Sequence, residues 1–312
     1  MDTELRAALL AWSATARRDL PWRRTRDPWA VVVSEVMLQQ TQVTRVVPRY
    51  LEFLEQFPTP AACAAAPVAD VVRSWAGLGY NRRAVSLRRL ATAVVDRHGG
   101  CLPPDLGALL ALPGIGPYTA RAVLTFAFEA DVGVVDVNAA RVLARVGGRS
   151  LTAGEVQARA DALVPPGHGW AWNQAVLDLG ATVCTKRSPR CGRCPVAAWC
   201  GWRTAAATGA GAAACADPAE GSAGTGGRQS MFAGSDRQGR GRLVQALRHG
   251  PVPWEEVAPA MGWPADEGRA RRVAATLVAD GLADDDGARL CLPGAGAAGG
   301  ATVPTGGRAI AR

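Results

Sequence analysis

The chain predicts an all-α fold, and three features carry the prediction. From Leu5 to about Val183 apolar residues recur at helical spacing, period-two alternation is almost missing, and short Gly or Pro turns punctuate the pattern. At 312 residues and 48% apolar content, the chain exceeds one typical domain and can bury a real core, so two domains are expected. No run approaches the roughly 18 uninterrupted apolar residues of a membrane span. The start, Met-Asp-Thr-Glu-Leu-Arg, lacks the basic-then-apolar order of a secretory signal. A cytoplasmic chain without a membrane partner is therefore expected.

Charge narrows the partner. A net charge of +8 and a pI near 9.5 favour a polyanion, although arginine also serves plain solubility. More telling, the 35 basic residues include a single lysine, Lys186. Chemistry that needs a lysine amine has almost no candidate.

Taken in chain order, Leu112-Pro-Gly-Ile-Gly116 joins two helices by a tight turn. Gly114 and Gly116 allow close backbone approach, and the second helix's N-terminus offers free N–H groups to a phosphate oxygen. Such contacts hold DNA without reading its sequence. Twenty residues later, Val134-Val-Asp136-Val-Asn138 places a carboxylate and an amide at the start of another helix, where the Asp can cap and also act chemically.

Eight cysteines in such a chain read as metal ligands or buried thiols. Cys63, Cys101, Cys215 and Cys291 are scattered and expected to be inert, whereas Cys184, Cys191, Cys194 and Cys200 cluster with six, two and five residues between them. Four thiolates hold either zinc or a [4Fe–4S] cluster. Structural zinc usually shows two Cys-x-x-Cys pairs and this loop has one, which favours the cluster and leaves zinc as the alternative. With all four positions filled the group is expected to be structural. Lys186, Arg187, Arg190 and Arg193 stud the loop, where phosphates could meet them.

Residues 201–228 carry too little apolar bulk to pack and are expected to be a flexible linker. Arg237 to Leu247, Trp254 to Met261 and Glu267 to Asp280 read as three helices, followed by a hairpin turning at Asp286-Gly287. Residues 229–293 thus predict a small winged-helix-like module, and 294–312 a disordered tail.

Hairpin, aspartate and cysteine loop together resemble the helix-hairpin-helix DNA glycosylase superfamily. Within it, Arg18-Asp-Leu-Pro-Trp22, Ser34-Glu35-Val-Met-Leu-Gln-Gln-Thr-Gln42, Gly77-Leu-Gly-Tyr80, Gly116-Pro-Tyr118-Thr-Ala and Trp172-Asn-Gln174-Ala-Val-Leu-Asp-Leu-Gly180 closely resemble the MutY family of adenine glycosylases. The resemblance covers roughly residues 5–200. It implies a six-helix barrel domain with the hairpin over 21–129, an iron–sulfur cluster domain over 1–20 and 130–200, and an actinobacterial-type short C-terminal domain.

For function, the resemblance implies base excision repair by a monomeric enzyme acting on double-stranded DNA, removing adenine opposite 8-oxoguanine or guanine and leaving an abasic site. Glu35 would be the general acid and Asp136 the carboxylate facing the sugar, with Tyr118 and Asn138 orienting it. Arg18, Trp22, Leu38 and Gln174 would line the adenine pocket. Gln40, Thr41, Leu78 and Tyr80 would contact lesion and DNA, Tyr80 as a wedge, with Gly114 and Gly116 on phosphate. A bacterial, nucleoid-associated location follows from the same resemblance.

The match has limits. Many relatives end in a Nudix-like domain that helps recognise oxidised guanine, and residues 229–293 do not look like it, so preference for the lesion over plain guanine stays open. Asn81 stands where an aromatic often follows the wedge, and Val137 where small residues are frequent. Rival readings are an endonuclease III-like glycosylase–lyase, a thymine or uracil mismatch glycosylase, and a noncatalytic iron–sulfur DNA-binding regulator. In the lyases a lysine occupies the place of Tyr118, so that tyrosine and the lysine shortage argue for a monofunctional enzyme.

Overall fold

A computed structural model describes residues 2–208, 216–224 and 231–294. In chain order the helices are α1 (Asp2–Ala16), α2 (Pro28–Leu38), α3 (Val43–Gln56), α4 (Pro60–Ala65), α5 (Val68–Ser74), α6 (Arg82–His98), α7 (Leu106–Leu110), α8 (Pro117–Phe128), α9 (Val137–Gly147), α10 (Ala153–Leu163), α11 (Gly169–Thr182), α12 (Gly201–Ala207), α13 (Asp236–His249), α14 (Trp254–Met261) and α15 (Glu267–Ala279). Three short strands follow from β1 (Val252–Pro253) through β2 (Asp284–Asp285) to β3 (Arg289–Cys291). No described helix is long and apolar enough to cross a membrane. The chain divides into two compact units, Met1–Pro60 with Ala93–Ser230, and Ala61–Thr92 with Met231–Arg312.

In the first unit the helix starts follow local chemistry. Asp27 accepts from Trp29 N–H ahead of Pro28 at the first helical position of α2. Thr152 and Glu155 form a reciprocal capping box on α10. Each such cap is worth about 1 kcal/mol. The α2 sequence is apolar on all sides, and residues Trp29 through Met37 are all buried, as expected of a helix with no solvated face. It packs against α3 and α8, while α11 packs against α1 and α9. Leu5, Leu9, Leu143, Leu163, Trp172 and Leu179 fill the core between the latter helices.

Residues 201–228, expected to be a flexible linker, differ in the structure. Gly201–Ala207 is helical, and 216–224 is anchored on the first unit. Asp217 pairs with the buried Arg145 at 2.6 Å, Leu151 N–H donates to Ser222 Oγ at 3.0 Å, and Ala223 N–H donates to Leu151 O at 3.0 Å. A small-residue segment lacks bulk, but one ion pair to a buried arginine and two hydrogen bonds to the Leu151 backbone fix it without any. The expected linker residues 209–215 and 225–228 lie outside the described residues, as does the expected tail beyond Gly294.

In the second unit α13, α14 and α15 enclose a core of Leu243, Leu247, Val257, Met261, Val273 and Leu277. The antiparallel sheet runs β1-β3-β2, with Val252 opposite Leu290 and Asp284 opposite Cys291. This is a winged-helix-like arrangement. The turn between β2 and β3 holds Gly287 at φ 89°. β1 was not expected, since two residues are too short to show a period.

Candidate active site

One cavity of about 490 Å³ in the first unit is lined by Glu35, Leu38, Gln40 and Thr41 from α2 and its following turn, by Arg18 and Trp22 before it, and by Tyr118, Asp136, Asn138 and Gln174. Its size falls within the roughly 300–1,000 Å³ of small-molecule pockets. Leu78 and Tyr80 belong to the second unit; Leu78 is buried and Tyr80 42% exposed.

Glu35 sits on the apolar helix α2 and is only 6% exposed. Burial raises its pKa to about 7, with Asp136 reinforcing the rise, while a hydrogen bond from the Tyr118 phenol and the nearby Arg23 oppose it. The same burial pushes the Tyr118 hydroxyl well above its ordinary value, so it remains a donor. Glu35 is thus a carboxyl that stays protonated close to neutral pH.

Asp136 is the N-cap of α9. Its Oδ1 accepts from Asn138 N–H at 2.8 Å and Ala139 N–H at 2.7 Å, and its Oδ2 from Asn138 Nδ2 at 2.8 Å. Burial leaves its pKa above the ordinary value, while these hydrogen bonds together with Arg141 oppose the rise. Capping therefore aims the carboxylate and favours its ionised form. Asn138 is held in turn: its Oδ1 accepts from Arg141 at 2.8 Å, and Arg141 also donates to Gly180 O and Cys184 O, each at 2.7 Å. Gly180 is required by this contact, because a Cβ there would lie 2.7 Å from Asn138 Cβ.

Two residues of the cavity region escaped the sequence reading. Asp178, fully buried, accepts from Arg18 Nε at 2.5 Å and from both terminal nitrogens of Arg23 at 2.7 and 2.9 Å. Arg23 and Asp178 lie 155 residues apart, and nothing in either local pattern pairs them. Trp22 is braced edge-on by Tyr50, with ring centroids 5.4 Å apart.

The hairpin turn places Gly114 at φ 82°, a left-handed conformation suited to glycine. Gly116 then caps α8 without a side-chain hydrogen bond, which leaves the first-turn N–H groups of α8 without a side-chain cap.

Cys184, Cys191, Cys194 and Cys200 line one small, almost wholly apolar cavity. Mutual repulsion among the four sulfurs adds to burial in raising the Cys194 thiol, to about 11, and also raises Cys200. Such a crowd of thiols is stable as thiolates only against a cationic centre. The six-, two- and five-residue spacing has one Cys-x-x-Cys pair where structural zinc usually has two, which suits a cluster with one thiolate per iron. Arg145, 1% exposed, donates to Cys184 Sγ at 3.4 Å and stacks against Trp202. The other cysteines are separate: Cys63 is buried, its thiol pushed up to about 12, Cys101 is exposed and Cys291 half-buried; Cys215 lies outside the described residues.

A helical body with a glycine hairpin, a pocket lined by two carboxyls in unlike surroundings, and a four-cysteine loop define a base excision DNA glycosylase of the helix-hairpin-helix class. Residues 33–166 match the family described as HhH-GPD superfamily base excision DNA repair protein, and 184–200 match the iron-sulfur binding domain of endonuclease III. The chain is 42% identical over 299 residues to an adenine DNA glycosylase of Mycolicibacterium smegmatis, covering 93% of this chain and 97% of the relative. It is 41% identical over 306 residues to an adenine DNA glycosylase of Mycobacterium tuberculosis, covering 92% and 93% respectively. Among solved structures, a thermostable thymine-DNA glycosylase superposes with a TM-score of 0.63 at 31% identity, over 65% of this chain and 96% of the other. The chain belongs to the adenine DNA glycosylase family, and its four-cysteine loop binds a [4Fe–4S] cluster.

Proposed function

We propose that this protein is a monofunctional adenine DNA glycosylase that everts adenine mispaired with 8-oxoguanine or guanine and hydrolyses its N-glycosidic bond. The observation that carries the reading is the pairing of Glu35 and Asp136 in one cavity in unlike surroundings: Glu35 is desolvated on an apolar helix, whereas the Asp136 carboxylate accepts three hydrogen bonds at the start of α9 that oppose the effect of burial. Adenine leaves poorly as an anion, so a neutral carboxyl must deliver a proton to the base, while the positive charge growing at the anomeric carbon needs a fixed anion beside it. Glu35 supplies the first and Asp136 the second, as paired carboxylates do in sugar hydrolysis.

Tyr118 holds the Glu35 carboxyl, and Asn138 holds Asp136. Arg18, Trp22, Leu38 and Gln174 recognise the everted adenine by stacking and edge hydrogen bonds. Gln40 and Thr41 at the cavity rim, Leu78 and Tyr80 engage the lesion and the stack, and the 114–116 turn holds backbone phosphate. Among the described residues, Gln40 and Tyr80 are two of the three non-glycine residues with positive φ, at 54° and 46°, and such strain collects at functional positions. Cys184, Cys191, Cys194 and Cys200 hold the cluster, which cross-links the loop bearing Arg187, Arg190 and Arg193. The protein acts as a monomer in the cytoplasm.

The lone lysine, Lys186, lies in the cysteine loop and does not line the cavity. A Schiff-base lyase route therefore has no amine to start from. The test is base release from duplexes carrying adenine opposite 8-oxoguanine, adenine opposite guanine, and thymine glycol, with borohydride trapping in parallel. Release from both adenine duplexes without a trapped adduct is expected. Release of thymine glycol with trapping would overturn the reading.

A further inference from the structure

The second compact unit contains a strained turn, 75–81, gripped by the C-terminal module. Gly77 and Gly79 take φ of 83° and 71°, and Tyr80 follows at 46°. Tyr80 also keeps 42% of its surface exposed, so the turn spends backbone strain on presenting an aromatic ring to solvent. A left-handed non-glycine residue persists only where its surroundings over-determine it. Here the buried Trp75 donates its indole N–H to Gly79 O at 3.2 Å. Arg83 donates to Leu78 O at 3.3 Å and Gly79 O at 3.0 Å, with its guanidinium 5.5 Å from the Tyr80 ring centroid.

The module holds this turn from both ends. Arg248 of α13 donates through Nε to Val72 O at 3.1 Å and through a terminal nitrogen to Asn81 Oδ1 at 2.9 Å. Val72 precedes the turn and Asn81 directly follows Tyr80. Arg82 pairs at 3.4 Å with Asp280, itself held by Arg240 at 2.6 Å. Ala69 N–H donates to Pro293 O at 3.0 Å. The module is not built as an electrostatic DNA arm: residues 231–294 hold eight arginines against nine carboxylates. Strand β2 and the turn after it carry Asp284, Asp285 and Asp286, which phosphates would repel.

We infer that the C-terminal module is a positioning device for the 75–81 turn, and that Arg248 is a positioning residue acting through Asn81 to present the Tyr80 ring to the duplex beside the mispair. Its contribution falls on base extrusion rather than on overall affinity. The inference rests on the proposed reading of Tyr80 as the inserted side chain, a wedge that unstacks a base step.

The test is a double-mutant cycle of Arg248→Ala and Tyr80→Ala in the full-length, cluster-loaded protein. It is read by single-turnover adenine release from an A:8-oxoguanine duplex and by the fluorescence of 2-aminopurine placed beside the mispair. Arg248→Ala is expected to slow release about tenfold and to reduce the fluorescence rise, with affinity for matched duplex within about twofold, and to add nothing in the Tyr80→Ala background. Asn81→Ala, which spares the Arg248 bond to Val72, is expected to reproduce the defect and serves if Arg248→Ala fails to fold. Additive losses, or a Tyr80→Ala that slows release while Arg248→Ala and Asn81→Ala do not, overturn the coupling alone. A Tyr80→Ala with unchanged release and fluorescence overturns the reading of Tyr80, and the inference with it.

Discussion

Glu35 is the sole titratable side chain in α2, a helix otherwise apolar on every side, and that placement has two measurable consequences. Its folded pKa of about 7 lies above the ordinary 4.5, so the folded chain keeps this proton after the unfolded chain has lost it. Folding is therefore penalised progressively as pH rises from 4.5 to 7, reaching about 3 kcal/mol above that window. Glu35→Gln is expected to abolish adenine release while leaving duplex binding intact. It is also expected to raise Tm at pH 8 but not at pH 4, checked by thermal melts at the two values; an equal gain at both would show that ionisation is not the cause. In the unmodified protein kcat/KM for adenine release is expected to fall as pH rises above about 7, where the acid loses its proton. A flat alkaline limb in the pH–rate profile would remove Glu35 from the acid role.

At the scale of elements, α9 and α11 meet where Gly180 faces Asn138. A methyl group at position 180 would approach Asn138 Cβ to 2.7 Å and its carbonyl oxygen to 3.0 Å, and the neighbour is backbone that cannot swing aside. Gly180→Ala is expected to cost about 1–3 kcal/mol in urea unfolding. It is further expected to slow base release without weakening duplex binding, because the start of α9 carries both Asp136 and Asn138. Helix α9 and the helices α13 to α15 were legible in the sequence because caps and apolar spacing are local. The pairing of Arg18 and Arg23 with Asp178 was not, since it joins residues about 155 apart with no shared pattern. The 216–224 anchor was missed for the same reason: Asp217 finds Arg145 across 72 residues, and composition alone cannot register one well-placed ion pair.

At the scale of the molecule, charge is unevenly distributed along the chain. Residues 231–294 hold more carboxylates than arginines, so the excess of basic residues lies outside them. The salt dependence of DNA binding is therefore expected to arise outside that stretch, including in the arginines of the cluster loop. Arg190→Ala is expected to reduce the slope of log K against log salt by about one, while Arg272→Ala in the module leaves the slope unchanged; equal reductions from the two would show that the module binds phosphate directly.

By itself the sequence determined the helical class, the four-thiol loop and the lack of a usable lysine, because residue type and short spacing suffice for each. Only the tertiary structure decided that Glu35 holds its proton near neutrality, that Asp178 locks Arg18 and Arg23, and that residues 61–92 form one compact unit with the C-terminal module. Desolvation and long-range ion pairing depend on which distant segments pack together, and no local pattern encodes that.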